Sequence, residues 1–93
     1  MLNLEKNFFK KRILIYGLGK SGLSTYSFLK KSNAISLFDD QIIAKKKIKD
    51  TQTTYKEIIK KEFDCIIISP GIDINKCKLS SFLKKIIKKF IQI

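Results

Sequence analysis

An α/β fold, a parallel sheet with helices on both faces, is predicted by three features: short apolar runs of β-forming residues, a glycine-rich turn directly after the first run, and helical apolar patterns between runs. The runs are Arg12-Ile13-Leu14-Ile15-Tyr16, Ile35-Ser36-Leu37-Phe38-Asp39 and Asp64-Cys65-Ile66-Ile67-Ile68. Strands buried on both faces, as in a parallel sheet, read as such unbroken apolar stretches.

The first run ends in Gly17-Leu18-Gly19-Lys20-Ser21-Gly22. With this spacing after a strand, Gly17 permits a tight turn, Gly19 lets the backbone approach a pyrophosphate, and Gly22 lets the next helix pack on the sheet. Gly19-Lys20-Ser21 also looks like the end of a P-loop. That loop needs a glycine five residues before its Gly-Lys pair, and the position holds Leu14. The Gly-x-Gly-x-x-Gly reading therefore stands, and the fold expected is Rossmann-like. Leu23, Tyr26 and Leu29, with Phe28 beside them, place a helix after the turn, and Ser32-Asn33 breaks it. The second strand ends at Asp39, 22 residues beyond Gly17, where such folds carry an acidic residue.

Lys45 to Lys49 reads as a charged connector, and the threonine-rich Asp50 to Thr54 as a short edge strand. Tyr55 to Glu62 is expected to form a short helix with Tyr55, Ile58 and Ile59 on its packed face. The third apolar run stops abruptly at Ser69-Pro70-Gly71-Ile72. In open α/β sheets ligands bind at the carboxyl ends of the strands, so this loop should meet the glycine loop there. On pattern alone an ordinary turn is the plainer reading of it. Leu79, Phe82, Leu83, Ile86, Ile87 and Phe90 form a helical stripe opposite Lys84, Lys85, Lys88 and Lys89, a face suited to covering a sheet, and Ile91-Gln92-Ile93 begins another strand. Right-handed crossovers then give the order 3-2-1-4-5, with strand 1 between strand 2 and the Ile66 to Ile68 strand.

Composition narrows the function. The 93 residues, 44% hydrophobic with one proline and four glycines, make one folded domain. No segment approaches the roughly 18 unbroken apolar residues of a membrane span, and no signal-peptide layout precedes Arg12, so a cytoplasmic protein without a membrane partner is expected. There is no histidine, and Cys65 and Cys77 form no Cys-x-x-Cys pair, which removes most zinc sites and the commonest general base. Cys65 reads as a small core residue, Cys77 as incidental. The net charge is +12, yet only Arg12 among the 20 basic residues is arginine, and there are 17 isoleucines and no valine. That pair of biases is what A- and T-rich codons produce. Most of the lysine is therefore read as solvated helix surface, and a nucleic-acid partner is not expected.

In order, Ile15-Tyr16-Gly17-Leu18-Gly19-Lys20-Ser21-Gly22-Leu23-Ser24, Leu37-Phe38-Asp39 and, about 50 residues after the glycines, Ile66-Ile67-Ile68-Ser69-Pro70-Gly71-Ile72 cover nearly the whole chain. Together they resemble the N-terminal domain of the Mur ligases, in particular the branch that adds D-glutamate to UDP-N-acetylmuramoyl-L-alanine in peptidoglycan synthesis. The resemblance implies that residues 1–93 bind the UDP part of that substrate and hold no cofactor of their own. It implies that the backbone of Gly17, Gly19, Lys20, Ser21 and Gly22 faces the diphosphate and that Ser69, Pro70 and Gly71 approach from the opposite loop. Asp39 and Asp40 would lie against the uridine. The family commonly has a hydroxyl and then a basic residue after the aspartate, whereas this chain has Asp40 and Gln41.

The family's ATP and magnesium belong to a central domain, and its amino acid to a C-terminal one. Neither is found in these residues, so the chain alone is expected to be inactive, its missing domains lost or on another chain. Two alternatives from other classes are an NAD- or ATP-binding regulatory module, against which Ser69-Pro70-Gly71-Ile72 speaks, and a lysine-rich adaptor for polyanions, whose mark would be steeply salt-dependent binding.

Overall fold

A computed structural model of the chain describes residues 10–41, 53–85 and 90–92. Four strands, β1 (Arg12–Tyr16), β2 (Ala34–Phe38), β3 (Cys65–Ile68) and β4 (Phe90–Gln92), form one sheet in the order β2-β1-β3-β4. Every pairing is parallel, Ile15 lying between Leu37 on one side and Ile67 on the other. Helix α1 (Lys20–Leu29) joins β1 to β2, α2 (Tyr55–Ile58) precedes β3, and α3 (Ser80–Lys85) precedes β4.

Side chains alternate across the sheet and divide the core in two. Ile13, Ile15, Leu37, Cys65 and Ile67 pack with Leu18 and Leu29 under α1. Leu14, Tyr16, Phe38, Ile66 and Ile68 pack on the other face with Ile58 of α2 and Leu79 and Leu83 at α3. Because β1 and β3 are covered on both sides, neither strand could carry alternating polar residues. The helices take opposite faces for a reason of handedness. The chain steps from β1 outward to β2, then returns across β1 to β3 and β4, and right-handed crossovers in opposite directions lie on opposite faces.

The Rossmann-like architecture thus holds, with β1 between β2 and β3, but the expected five-strand order becomes four strands among the described residues. Thr53 and Thr54 belong to no strand. The Thr53 N–H donates a single bond to the Leu37 carbonyl, at 2.7 Å. Thr54 instead caps α2: its hydroxyl accepts from the Glu57 N–H at 3.3 Å and donates to the Glu57 carboxylate at 2.9 Å. Threonine's competition for nearby backbone groups has favoured a cap over a ladder. Asp50, Thr51 and Gln52 lie outside the described residues, as does the Lys45 to Lys49 connector.

Helix α2 is shorter than expected, ending at Ile58 where the expected helix ran to Glu62. Its packed face is Ile58 alone, since Tyr55 and Ile59 are both exposed. Phe63, 3% exposed, and Asp64, whose N–H donates to the Arg12 carbonyl at 2.7 Å, must enter the sheet immediately after it, so the chain tightens into turns from Ile59. Phe90, expected on the stripe of the last helix, belongs to β4, while Ile86 and Ile87 lie outside the described residues.

At the amino end of the sheet Asp64 clamps Arg12, its Oδ2 accepting from the Arg12 backbone N–H at 2.7 Å and both oxygens meeting the guanidinium at 3.3 Å. The guanidinium's hydrogen bonds hold the Asp64 carboxyl below the usual carboxylate range. A depressed carboxylate stabilises the fold above its unfolded pKa and loses that contribution as pH falls through its folded one. Asp64→Asn is therefore expected to melt below the parent at neutral pH. The difference should shrink as acid protonates the parent, and a gap in melting temperature that does not change with pH would show that the charge is not what matters.

Candidate functional site

Three loops leave the carboxyl ends of β1, β2 and β3, and hydrogen bonds beyond the strands hold them side by side. The Gly17 N–H donates to the Phe38 carbonyl at 2.8 Å, and the Ser69 N–H to the Tyr16 carbonyl at 3.0 Å. The Ser69 hydroxyl then donates to the Gly17 carbonyl at 3.0 Å, so the Ser69 loop does meet the glycine loop.

The four glycines fall into two kinds. Gly17 has φ +99°, and a β-carbon there would sit 2.7 Å from both Cβ and Oγ of Ser69. A β-carbon on Gly22 would overlap the Gly17 carbonyl oxygen. Both are glycines because the loop's own packing requires them. At Gly19 and Gly71 an added β-carbon would meet nothing within 4 Å. Gly19 also has an ordinary extended backbone, φ −76° and ψ −165°. Neither packing nor conformation calls for glycine at position 19.

Gly19 is the N-cap of α1 and has no side chain to cap it; nor does the first turn carry an acidic residue. The first N–H groups of a helix have no intrahelical acceptor, and its positive dipole end favours an anion. Lys20 and Ser21 stand exposed there, and Pro70 and Gly71 are exposed in the loop after β3. The result is an open edge lined by backbone donors.

The two aspartates have separate tasks. Asp39 Oδ2 accepts from the Leu18 N–H at 2.7 Å and its Oδ1 from the Gln41 N–H at 2.9 Å, so the end of β2 braces the glycine loop. Asp40 turns toward the α3 side, accepting a hydrogen bond from the Tyr16 hydroxyl and one from the Lys78 N–H at 3.3 Å. The Lys78 ammonium donates to the Asp40 carbonyl at 2.7 Å, and the Leu79 N–H donates to the Tyr16 oxygen at 3.4 Å. The structure therefore places Asp39 in the glycine loop's support and Asp40 in a latch with Tyr16 and Lys78.

Tyr16 and Lys78 escaped the sequence reading. The available signal was a tyrosine at the end of a buried strand, whose polar tip needs a partner. Burial first, then the bond to Asp40, pushes the phenol pKa up, so Tyr16 stays a donor at any working pH. Tyr16→Phe would leave Asp40 one donor short and the Leu79 N–H without an acceptor. A loss of about 1–2 kcal/mol in urea unfolding is expected. An unchanged midpoint would mean that the hydroxyl holds nothing.

Burial likewise pushes the Cys65 thiol up to about 11, in keeping with a packed and unreactive core residue. Among the described residues no group of three or more His, Cys, Asp or Glu side chains could hold a metal ion. Nor is any described helix long and apolar enough to cross a membrane.

A parallel sheet that carries a glycine turn between its first strand and first helix, faced by a second loop from the neighbouring strand, defines a Rossmann-like domain. The chain belongs to the family of Mur ligase MurD-like N-terminal domains, whose model matches residues 11–90. It is also similar to the UDP-N-acetylmuramoylalanine--D-glutamate ligase of Caldicellulosiruptor saccharolyticus, 32% identical over 84 residues. That alignment covers 73% of this chain and 18% of the ligase, so the chain spans about a fifth of that relative's length. No solved structure matches the chain.

Proposed function

We propose that the carboxyl edge binds the diphosphate of a UDP-linked muramoyl substrate, UDP-N-acetylmuramoyl-L-alanine, as the N-terminal domain of a D-glutamate-adding ligase. The observation that carries this reading is the pair Gly19 and Gly71. Both are exposed, both have open space where a side chain would be, and they belong to the loops after adjacent strands. A bound group that comes close to the backbone accounts for glycine at these positions, whereas the protein's own packing does not. The matching family and the D-glutamate ligase relative supply the chemical class of that group.

In this reading the Lys20 and Ser21 N–H groups donate to phosphate oxygens at the positive end of α1, and Lys20 adds charge from its flexible side chain. Gly71 admits the substrate from the β3 side. Asp39 acts chiefly by fixing the Leu18 N–H, which sets the glycine loop's shape. Phosphorylation of the substrate carboxylate by ATP and magnesium, and attack by the amino acid's nitrogen, would fall to other domains of the enzyme. The chain's part is to hold the nucleotide end still.

Titration calorimetry of the chain with UDP-N-acetylmuramoyl-L-alanine and with NAD tests the assignment. Weak binding of the UDP-linked substrate and weaker binding of NAD are expected. Equal or tighter binding of NAD would overturn it in favour of a dinucleotide module.

A further inference from the structure

The loop after β3 is fastened at both ends to the loops of the neighbouring strands. Its first residue, Ser69, is tied to the end of β1 by two bonds, from its N–H to the Tyr16 carbonyl and from its hydroxyl to the Gly17 carbonyl, both at 3.0 Å. Its last residues reach further. Lys78 meets Asp40 twice, its N–H donating to the carboxylate at 3.3 Å and its ammonium to the carbonyl at 2.7 Å, and the Leu79 N–H donates to the Tyr16 oxygen at 3.4 Å. Because the sheet order is β2-β1-β3, Asp40 follows a strand two places away from β3. Two strand spacings are about 10 Å. The chain from Ser69 to Leu79 therefore crosses the carboxyl end of β1 as a strap, with Pro70 and Gly71 exposed on it.

Packing fixes this strap only in part. Leu79 is fully buried, whereas Ile72, Ile74 and Cys77 are half-buried against the core. The bonds from the Ile72 N–H to the Ser69 carbonyl and from the Cys77 N–H to the Asp73 carbonyl shape two turns inside the strap and do not anchor it to the sheet. Its far end depends on Lys78 and Asp40. Lys78 is exposed, and an exposed lysine loses side-chain entropy when it holds one geometry, yet its ammonium returns to a main-chain carbonyl 38 residues away. Asp40 has one carboxylate oxygen on the Tyr16 hydroxyl and the other on the Lys78 N–H, so the protein itself sets that side chain's position.

We propose that Asp40 and Lys78 are positioning residues for ligand binding: they fasten the far end of the strap and so hold Gly71 in place beside the glycine loop. The inference rests on the diphosphate reading of that edge. Asp40 then acts on the ligand through the strap, not by touching the uridine as the family resemblance implied. A strap held before the ligand arrives loses less freedom on binding, and the affinity is higher for it. Released at Lys78, the same loop samples several positions, and the ligand binds only the fraction that has Gly71 correctly placed.

Two measurements on Lys78→Ala, which loses the ammonium and keeps the main-chain bond to the Asp40 carboxylate, test the proposal. In the free protein, NMR order parameters at Gly71 and Ile72 should fall from the rigid-backbone value of about 0.85 toward the flexible range, while that of Ile15, paired on both sides in the sheet, stays unchanged. In calorimetry, affinity for UDP-N-acetylmuramoyl-L-alanine should fall about three- to tenfold. Lys78→Arg can still donate to the Asp40 carbonyl and should restore the order parameters and bring affinity to within about twofold of the parent. Lys76→Ala removes an equal charge from the same strap and should change affinity less than about twofold. Unchanged order parameters at Gly71 and Ile72 would overturn the proposal, and with a loss of affinity they would make Lys78 a direct ligand contact. Equal losses from Lys76→Ala and Lys78→Ala would overturn it too, since charge alone would then explain both. If the parent chain binds no UDP-linked substrate, the diphosphate reading fails by itself, and the order parameters alone decide whether Lys78 holds the strap.

Discussion

Gly22→Ala is expected to destabilise the fold by about 3 kcal/mol or more, or to prevent folding, because the added carbon has no space to enter. Its position would coincide with the Gly17 carbonyl oxygen, and Gly17 cannot readily retreat. The Gly17 N–H is bonded to Phe38, its carbonyl accepts from Ser69, and its φ is already +99°. The obstacle is backbone held by two neighbouring strands, not the flexible end of a side chain. Gly71→Ala is the matched control: with no atom within 4 Å of the new carbon, its urea midpoint should stay within a few tenths of a kcal/mol of the parent. If Gly22→Ala unfolds at the parent's midpoint, the glycine loop does not sit against α1 as described.

The second large effect is expected in binding, with the fold intact. Gly19→Val places a branched side chain in the open space at the head of α1, where the diphosphate is proposed to meet the backbone, and should reduce affinity for UDP-N-acetylmuramoyl-L-alanine beyond detection. A β-carbon at Gly19 meets nothing within 4 Å and the backbone there is extended, so the thermal transition should move little. Lys20→Ala removes a charge and no backbone donor, and about a tenfold loss or less is expected from it. Calorimetry on the two variants decides between them. A greater loss from Lys20→Ala, with both variants folded, would mean that the lysine side chain and not the backbone cradle holds the phosphates.

The contrast between these glycines marks how far the sequence could be read. The spacing Gly17, Gly19, Gly22 predicted a turn between a strand and a helix, and the apolar runs predicted a parallel sheet. Both depend on local pattern, so both were legible. Gly22 was expected to ease helix-to-sheet packing, and a β-carbon there would strike the Gly17 carbonyl just beyond β1 and lie 3.3 Å from Ser69 Oγ just beyond β3. Position 40 was harder. An aspartate after an aspartate on a loop looks like a ligand group, and only the fold brings Tyr16, 24 residues away, and Lys78, 38 residues away, to meet it. The same limit applies to Thr54, whose β propensity gave no hint that its hydroxyl would begin α2.

The bond from the Ser69 hydroxyl to the Gly17 carbonyl closes a span of 52 residues. No fragment containing only the glycine motif can possess it, and the chain cannot form it until β1 and β3 have found each other across α1, β2 and α2. The proposed ligand edge is therefore complete only in the finished fold. A nascent or proteolysed chain that ends before Ser69 carries the whole glycine motif and none of its partner loop. Conversely, any nucleotide that occupies this edge acts on the global folding equilibrium, drawing the population toward the finished sheet in proportion to its concentration over its dissociation constant.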